Sequence, residues 1–442
     1  MRRAIGLLAV PLLGLGLAQT LTFWTTEEQP KRMEIQRAIA AKFEAKTGIK
    51  VEVVPVSENQ LAERITAAFA AGRLPDLVFH PIDYTVGWAA EGILDTEAAS
   101  EVIRELGPET FAAGALELAR YMGNPTAVPT DGWTQLLVYR RDLFKARSLA
   151  EPRTYAAILG AIELLHDPPR LYGFVAATDP SQVYFQQVFE HIALANGVRL
   201  VDEAGNVTLD TPQMIEVLKF YKRLAQASPP GNLYWKQSRE LYMAGRAAQI
   251  VWSPFILDEL AGLRDSVPVT AFDDPTTDRL AKASGFVARL SGPDNPKGAS
   301  YAQIGYIGIT ADADVEAAKR FVKFLLTEAY LDWLSMAPEG KFPVRRGTPD
   351  DPERFVRGWS ELPVGVDRKR PLSEIYPPDV IRRILAGLEV ADRWGFARGQ
   401  GALVAKLYGE KVIPKIVRRY LDGELTAEEA AREMQRAVEA LK

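Results

Sequence analysis

The sequence predicts an α/β protein of two lobes, each a mainly parallel sheet flanked by helices, with the lobes joined by crossing strands. Three observations predict it. Short apolar runs alternate with amphipathic helical periods from residue 21 onward, the pattern of strand-helix-strand units. The 442 residues exceed what one hydrophobic core usually supports, so the chain should divide. No tandem repeat, low-complexity tract or linker rich in Gly and Ser marks the division, which favours lobes tied by several crossings over units on a tether.

At the N-terminus, Arg2 and Arg3 precede an apolar stretch over residues 4–17, and Gly16 and Ala18 offer small residues for cleavage before Gln19. This reads as a secretory signal peptide over residues 1–18, shorter than the roughly 20 apolar residues of a membrane span. Residues 21–25 are apolar and β-prone, and Ile35, Ile39 and Phe43 then recur every four residues as a helix stopped by Thr47-Gly48. Ile49, Val51 and Val53 alternate as a strand, Leu61, Ile65 and Phe69 mark a helix closed by Gly72, and Leu77-Val78-Phe79 forms a third strand. Ligands on such sheets bind beyond the carboxyl ends of the strands. The three loops there are Trp24-Thr25-Thr26-Glu27-Glu28, Ser57-Glu58-Asn59 and His80-Pro81-Ile82-Asp83-Tyr84. Any one of these polar residues could be an ordinary helix cap, and it is the convergence of three loops on one edge that favours a site.

Past Asp131 a second lobe begins with the strand Gln135-Leu136-Leu137-Val138-Tyr139. Helical periods follow over 155–165, 184–195 and 214–225, then the strand Gln249-Ile250-Val251-Trp252. Residues 302–310 form a further apolar strand, and 314–336 a helix.

Composition excludes several classes. With 53 basic and 57 acidic residues the formal net charge is −4, which leaves no electrostatic footprint for nucleic acid or anionic lipid. The chain contains no cysteine, so disulfides, thiolate nucleophiles, cysteine zinc sites and a cysteine-linked lipid anchor are ruled out. His80, His166 and His191 are the only histidines and show no zinc spacing. There is no Gly-x-Ser-x-Gly elbow, and Gly399-Gln400-Gly401 does not continue into a dinucleotide fingerprint. Asp202, Asn206 and Asp210 lack the spacing of a calcium loop and read as a hairpin turn. Neither a metal nor a cofactor is expected.

Several phrases, in order, resemble the extracellular solute-binding proteins of ABC importers, in the sugar-binding branch typified by maltose-binding protein. They include Leu21-Thr22-Phe23-Trp24, Phe43-Glu44-Ala45-Lys46-Thr47-Gly48, Ala71-Gly72-Arg73-Leu74-Pro75-Asp76-Leu77 and Trp88-Ala89-Ala90-Glu91-Gly92-Ile93-Leu94-Asp95. Ala127-Val128-Pro129, Val138-Tyr139-Arg140-Arg141-Asp142-Leu143-Phe144 and Met243-Ala244-Gly245-Arg246 continue the series, with Arg140 where the family usually has Asn. The resemblance implies an N-terminal lobe of residues 19–131 with a returning segment 305–342, and a second lobe of 132–304 with 343–442. It implies a secreted, periplasmic, monomeric protein, not an enzyme, that captures a sugar by hinge closure and delivers it to a membrane permease. A secreted glycoside hydrolase is one alternative, since paired carboxylates among sugar-binding aromatics look much the same in sequence, and a carrier of a non-sugar solute such as a polyamine is another, since the resemblance extends to a related branch of the fold that carries polyamines or iron.

Sugars show flat apolar faces rimmed by hydroxyls, so a site should combine aromatic platforms with carboxylates. Matched to the family pattern, Glu28, His80 and Asp83 are expected on the first lobe, Asp131 and Trp133 near the hinge, and Trp252 and Phe255 on the second lobe. Trp24 joins them as an aromatic at a strand end. Tyr184, Tyr306 and Arg345 complete the candidates, Arg345 with a surface ion pair as its bland alternative.

Overall fold

A computed structural model describes residues 19–442, and the expected signal peptide lies outside the described residues. Strand β1 (Thr20–Thr25) alternates buried Leu21, Phe23 and Thr25 with half-buried Thr22 and Trp24. Helix α1 (Pro30–Thr47) starts with proline in its first turn, where no amide hydrogen is needed. It ends at Gly48, whose φ of 75° suits the left-handed cap that receives the chain. Next come β2 (Lys50–Pro55), α2 (Glu58–Ala70), β3 (Leu77–Pro81) and α3 (Ile82–Ala90). Helix α4 (Thr96–Leu106) follows, capped by the Asp95 carboxylate on the Ala98 amide. Strand β1 lies between β2 and β3 and runs parallel to both, so the three strand ends emerge on one edge as expected.

Strand β4 (Val128–Thr134) passes through Gln135 directly into β5 (Leu136–Arg140). After β5 come α5 (Tyr155–Leu165), α6 (Val183–Ala195), α7 (Pro212–Gln226), β6 (Gln249–Trp252) and β7 (Ser284–Val287). The long strand β8 (Asn295–Ile309) then crosses back and pairs antiparallel with both β3 and β4. Helices α8 (Val315–Leu325) and α9 (Tyr330–Leu334) replace the single helix expected over 314–336. Phe321 of α8 packs on Phe43 and Phe23, with ring centroids 5.2 and 5.9 Å away, so this returning segment seals the face of the first sheet.

The second sheet departs from the parallel expectation. Both neighbours of β5, β6 and β7, run antiparallel to it, and parallel pairing occurs in the bridges Tyr172↔Ala247 and Val175↔Ile250. Strand β5 enters as a continuation of a crossing strand, so its direction is set by the crossing and not by a helical return. Its core is dense: Tyr155 of α5 stacks on Phe220 of α7, with centroids 3.6 Å apart. The buried Glu190 of α6 accepts from Arg393 at 3.0 Å and from the Trp394 amide at 2.9 Å, fastening the C-terminal region. Among the described residues no helix is long and apolar enough to cross a membrane.

Candidate functional site

The ends of β1, β2 and β3 open onto a cleft of about 400 Å³, a size ordinary for small-molecule sites. Each strand-end loop contributes: Thr26 and Glu27 after β1, Glu58 at the start of α2, and Pro81 and Asp83 where β3 turns into α3. Asp131, Gly132 and Trp133 of β4 and residues 303–305 of β8 line it from the crossing strands. Gly340 and Lys341 arrive from the segment after α9, and Phe255 from the loop after β6. Two glycines permit close approach. A Cβ on Gly340 would stand 2.7 Å from the Phe255 ring, and one on Gly305 would stand 2.8 Å from Phe79.

A buried ion cluster forms one wall. The Lys341 ammonium donates to Glu27 Oε1 at 2.5 Å and Asp131 Oδ1 at 3.1 Å, and lies 5.1 Å from the ring centroids of both Phe79 and Trp333. The remaining oxygens are occupied too. Arg32 pairs with Glu27 Oε2 at 2.5 Å, while Trp333 Nε1 and Thr130 Oγ1 donate to Asp131 Oδ2 at 2.7 and 2.8 Å. Burial pushes the Glu27 carboxyl up, but the Lys341 and Arg32 charges outweigh it and hold it below its ordinary value. Burial likewise disfavours charged Lys341, and Asp131 and Glu27 more than reverse that, so its proton is held more tightly than usual. At the rim, Glu58 is shifted up by burial and by the charges of Asp83 and Glu27.

The family described as bacterial extracellular solute-binding protein matches residues 28–331. The chain belongs to this family. It is a secreted solute-binding protein, and its curated relatives are periplasmic-binding proteins of ABC transporters. Among relatives, it is 28% identical over 335 residues to the putative ABC transporter periplasmic-binding protein YcjN of Escherichia coli (strain K12), covering 74% of this chain and 73% of that one. The sugar-binding protein MalE of Xanthomonas citri has a similar fold at TM-score 0.71 and 17% identity, covering 96% of this chain and 97% of that one. A solute-binding protein of Thermotoga lettingae bound with α-D-tagatose matches at TM-score 0.62 and 20% identity, over 96% and 99% of the two chains.

Of the residues singled out in the sequence of this solute-binding protein, Asp83, Asp131, Trp133 and Phe255 line the cleft. The others lie elsewhere. Glu28 is exposed, and its neighbour Glu27 is the one turned inward, because the Glu27 amide donates to Thr25 Oγ1 and its carbonyl accepts from Gln36. His80 is fully buried on the opposite side of β3 from Phe79, edge-on to Trp88, with Nδ1 bonded to the Pro81 carbonyl. Burial lowers its pKa to about 4, so it is neutral. Tyr306 is a core residue donating to the Ala115 carbonyl at 2.8 Å, and Tyr184 a core residue donating to the Val251 carbonyl. Trp252 stacks on Trp235 at 5.2 Å, and half-buried Trp24 packs on the first core.

Arg345 lies outside the cleft lining, and among the described residues it forms no surface ion pair of the kind considered for it. It is buried and donates to the Leu326 and Leu106 carbonyls at 2.7 and 2.9 Å, clamping two helix ends. Sequence reasoning did not single out Glu27, Arg32, Glu58 or Lys341 as site residues. Glu27 and Glu58 stand in the loops marked as strand ends, whereas nothing local marks Lys341, which reaches Asp131 from 210 positions away.

Proposed function

We propose that this protein captures a small hydroxyl-rich solute, of the sugar class, in the cleft between the strand ends and the crossing strands, and hands it to a membrane permease. The observation that carries this reading is the combination, in one cavity, of the Trp133 and Phe255 rings with the Asp83 and Glu58 carboxylates. The lobes we assign are residues 19–131 with 305–342, and 132–304 with 343–442. The solute meets one lobe and the other closes over it, so binding shifts an open-closed equilibrium by its differential affinity for the closed form. Closure removes water from the carboxylate hydrogen bonds and strengthens them. Export through the signal peptide, without a cysteine-linked anchor, and a monomeric state go with this reading.

Solute capture without turnover is favoured over glycoside hydrolysis. The buried pair Glu27 and Asp131 share one ammonium, and Glu27 is held ionised, which suits a fixed wall better than a proton donor. A thermal-shift screen against sugars, glycosides, polyamines and amino acids tests the proposal, because a ligand of the folded state raises the melting temperature. A shift with a sugar, without its breakdown on long incubation, is expected, and breakdown would establish the hydrolase instead. Calorimetry on Asp83→Ala should show binding of that sugar weakened by about 1–3 kcal/mol, the usual cost of an unpaired buried polar partner. Unchanged affinity would remove Asp83 from the site.

A further inference from the structure

The groups that line the cleft divide into those already engaged and those left free. Four carboxylates line it, Glu27, Glu58, Asp83 and Asp131, with two cations, Arg32 and Lys341. Both cations are committed to Glu27 and Asp131, and every oxygen of that pair has a protein donor. Among the described residues, no hydrogen bond or ion pair reaches the carboxylate of Asp83 or of Glu58. Arg393 also lies within the field of Asp83, but its guanidinium is bonded to Glu190 and held over the rings of Tyr301 and Phe396. Gln303 also lines the cleft, with its side-chain oxygen turned away from solvent and without a partner among the described residues.

Unengaged carboxylates accept hydrogen bonds and cannot donate them, whereas an ammonium supplies three donors and a charge. We infer that the solute carries a positive charge, as an amine-bearing polar molecule whose ammonium is met by Asp83 and Glu58. Two features agree with this. The Glu58 carboxyl is shifted up by burial and by its acidic neighbours, a repulsion that a cation relieves. The Trp133 and Phe255 rings supply apolar faces for the rest of the molecule, and aromatic faces also attract cations. Lys341 sets the selectivity as a positioning residue, since by occupying Glu27 and Asp131 it determines which acids remain for the solute. This inference rests on the solute-cleft reading.

Matched pairs differing in one amine test it on the native protein. Calorimetry at pH 7 should show glucosamine binding at least tenfold more tightly than glucose, with N-acetylglucosamine, whose amine is capped, falling to the level of glucose. Raising the salt concentration should narrow the gap, because screening weakens exposed charge pairs. In the Asp83→Asn, Glu58→Gln double variant, shown folded by its circular dichroism, the ratio of glucosamine to glucose affinity should fall to about one even though both sugars bind more weakly, and a ratio unchanged from the native protein would overturn the inference. Glucose binding as tightly as glucosamine to the native protein would overturn the charge inference and leave the solute-cleft reading standing. Absence of binding by both the amines, putrescine included, and the neutral sugars would overturn the two together.

Discussion

Two buried charge clusters in this protein have similar composition and opposite behaviour. The first, around Lys341, joins Glu27, Asp131 and Arg32 on the wall of the cleft. The second follows β6, where Arg239 pairs with Glu259 at 2.8 Å and Arg264 pairs with Asp258 at 2.6 Å and Glu339 at 3.4 Å. Glu27 is held below its ordinary pKa, whereas burial pushes Asp258 up to about 6 and Glu259 up to about 7. Burial penalises charge in both places. The difference lies in the oxygens: each one in the first cluster meets a donor, while Asp258 Oδ1 and Glu259 Oε2 have none among the described residues. A buried carboxylate stays ionised when its lone pairs are satisfied and drifts toward the neutral acid when they are not.

The strongest way to break this contrast is Lys341→Met. It leaves Glu27 and Asp131 buried without their shared ammonium and should cost about 3–5 kcal/mol of stability, read from urea unfolding. A loss under about 1 kcal/mol would mean that the first cluster is as poorly satisfied as the second.

Next in size is the pH response of the second cluster. A carboxyl whose folded pKa lies above its unfolded value binds its proton more tightly in the folded state. Its contribution is therefore fully present below the unfolded pKa and lost as pH rises through the folded one. For Glu259 that window runs from about 4.5 to about 7. The buried His80 and His191, lowered to about 4, pull the opposite way below pH 6.5, so the comparison must be made between variants. The stability difference between wild type and Glu259→Gln should move in favour of wild type by roughly 2 kcal/mol between pH 8 and pH 5. A difference that is constant with pH would show that Glu259 is ionised throughout, like Glu27.

The smallest effect sharpens the contrast at the cleft. Glu28→Ala should leave stability within about 0.5 kcal/mol of wild type, as surface changes usually do. Glu27→Ala, which leaves the buried Lys341 with Asp131 as its remaining carboxylate partner, should exceed it several-fold in the same unfolding experiment.

These pairs show how far the sequence could be read. The order β1-α1-β2-α2-β3 was legible because apolar periods of two and about four are local signals. The three strand-end loops were legible for the same reason, and all three reach the cleft. What was not legible was the choice between neighbours. Glu27 and Glu28 are chemically alike, and only the turn held by Thr25 and Gln36 decides which faces inward. His80 misses the cleft because alternation along β3 sends it to the face opposite Phe79. Tyr306 and Arg345 carry groups suited to a ligand, but their partners are backbone carbonyls far away in sequence.

The sequence by itself determined the family, the strand order of the first sheet and the sheet edge on which the cleft opens, since all three are written in local patterns. Tertiary structure alone decided the antiparallel second sheet, the return of Lys341 to Asp131 and the approach of Phe255 to Gly340. These depend on where segments far apart in the chain come to rest, and the burial that then shifts a carboxyl's pKa exists only after they do.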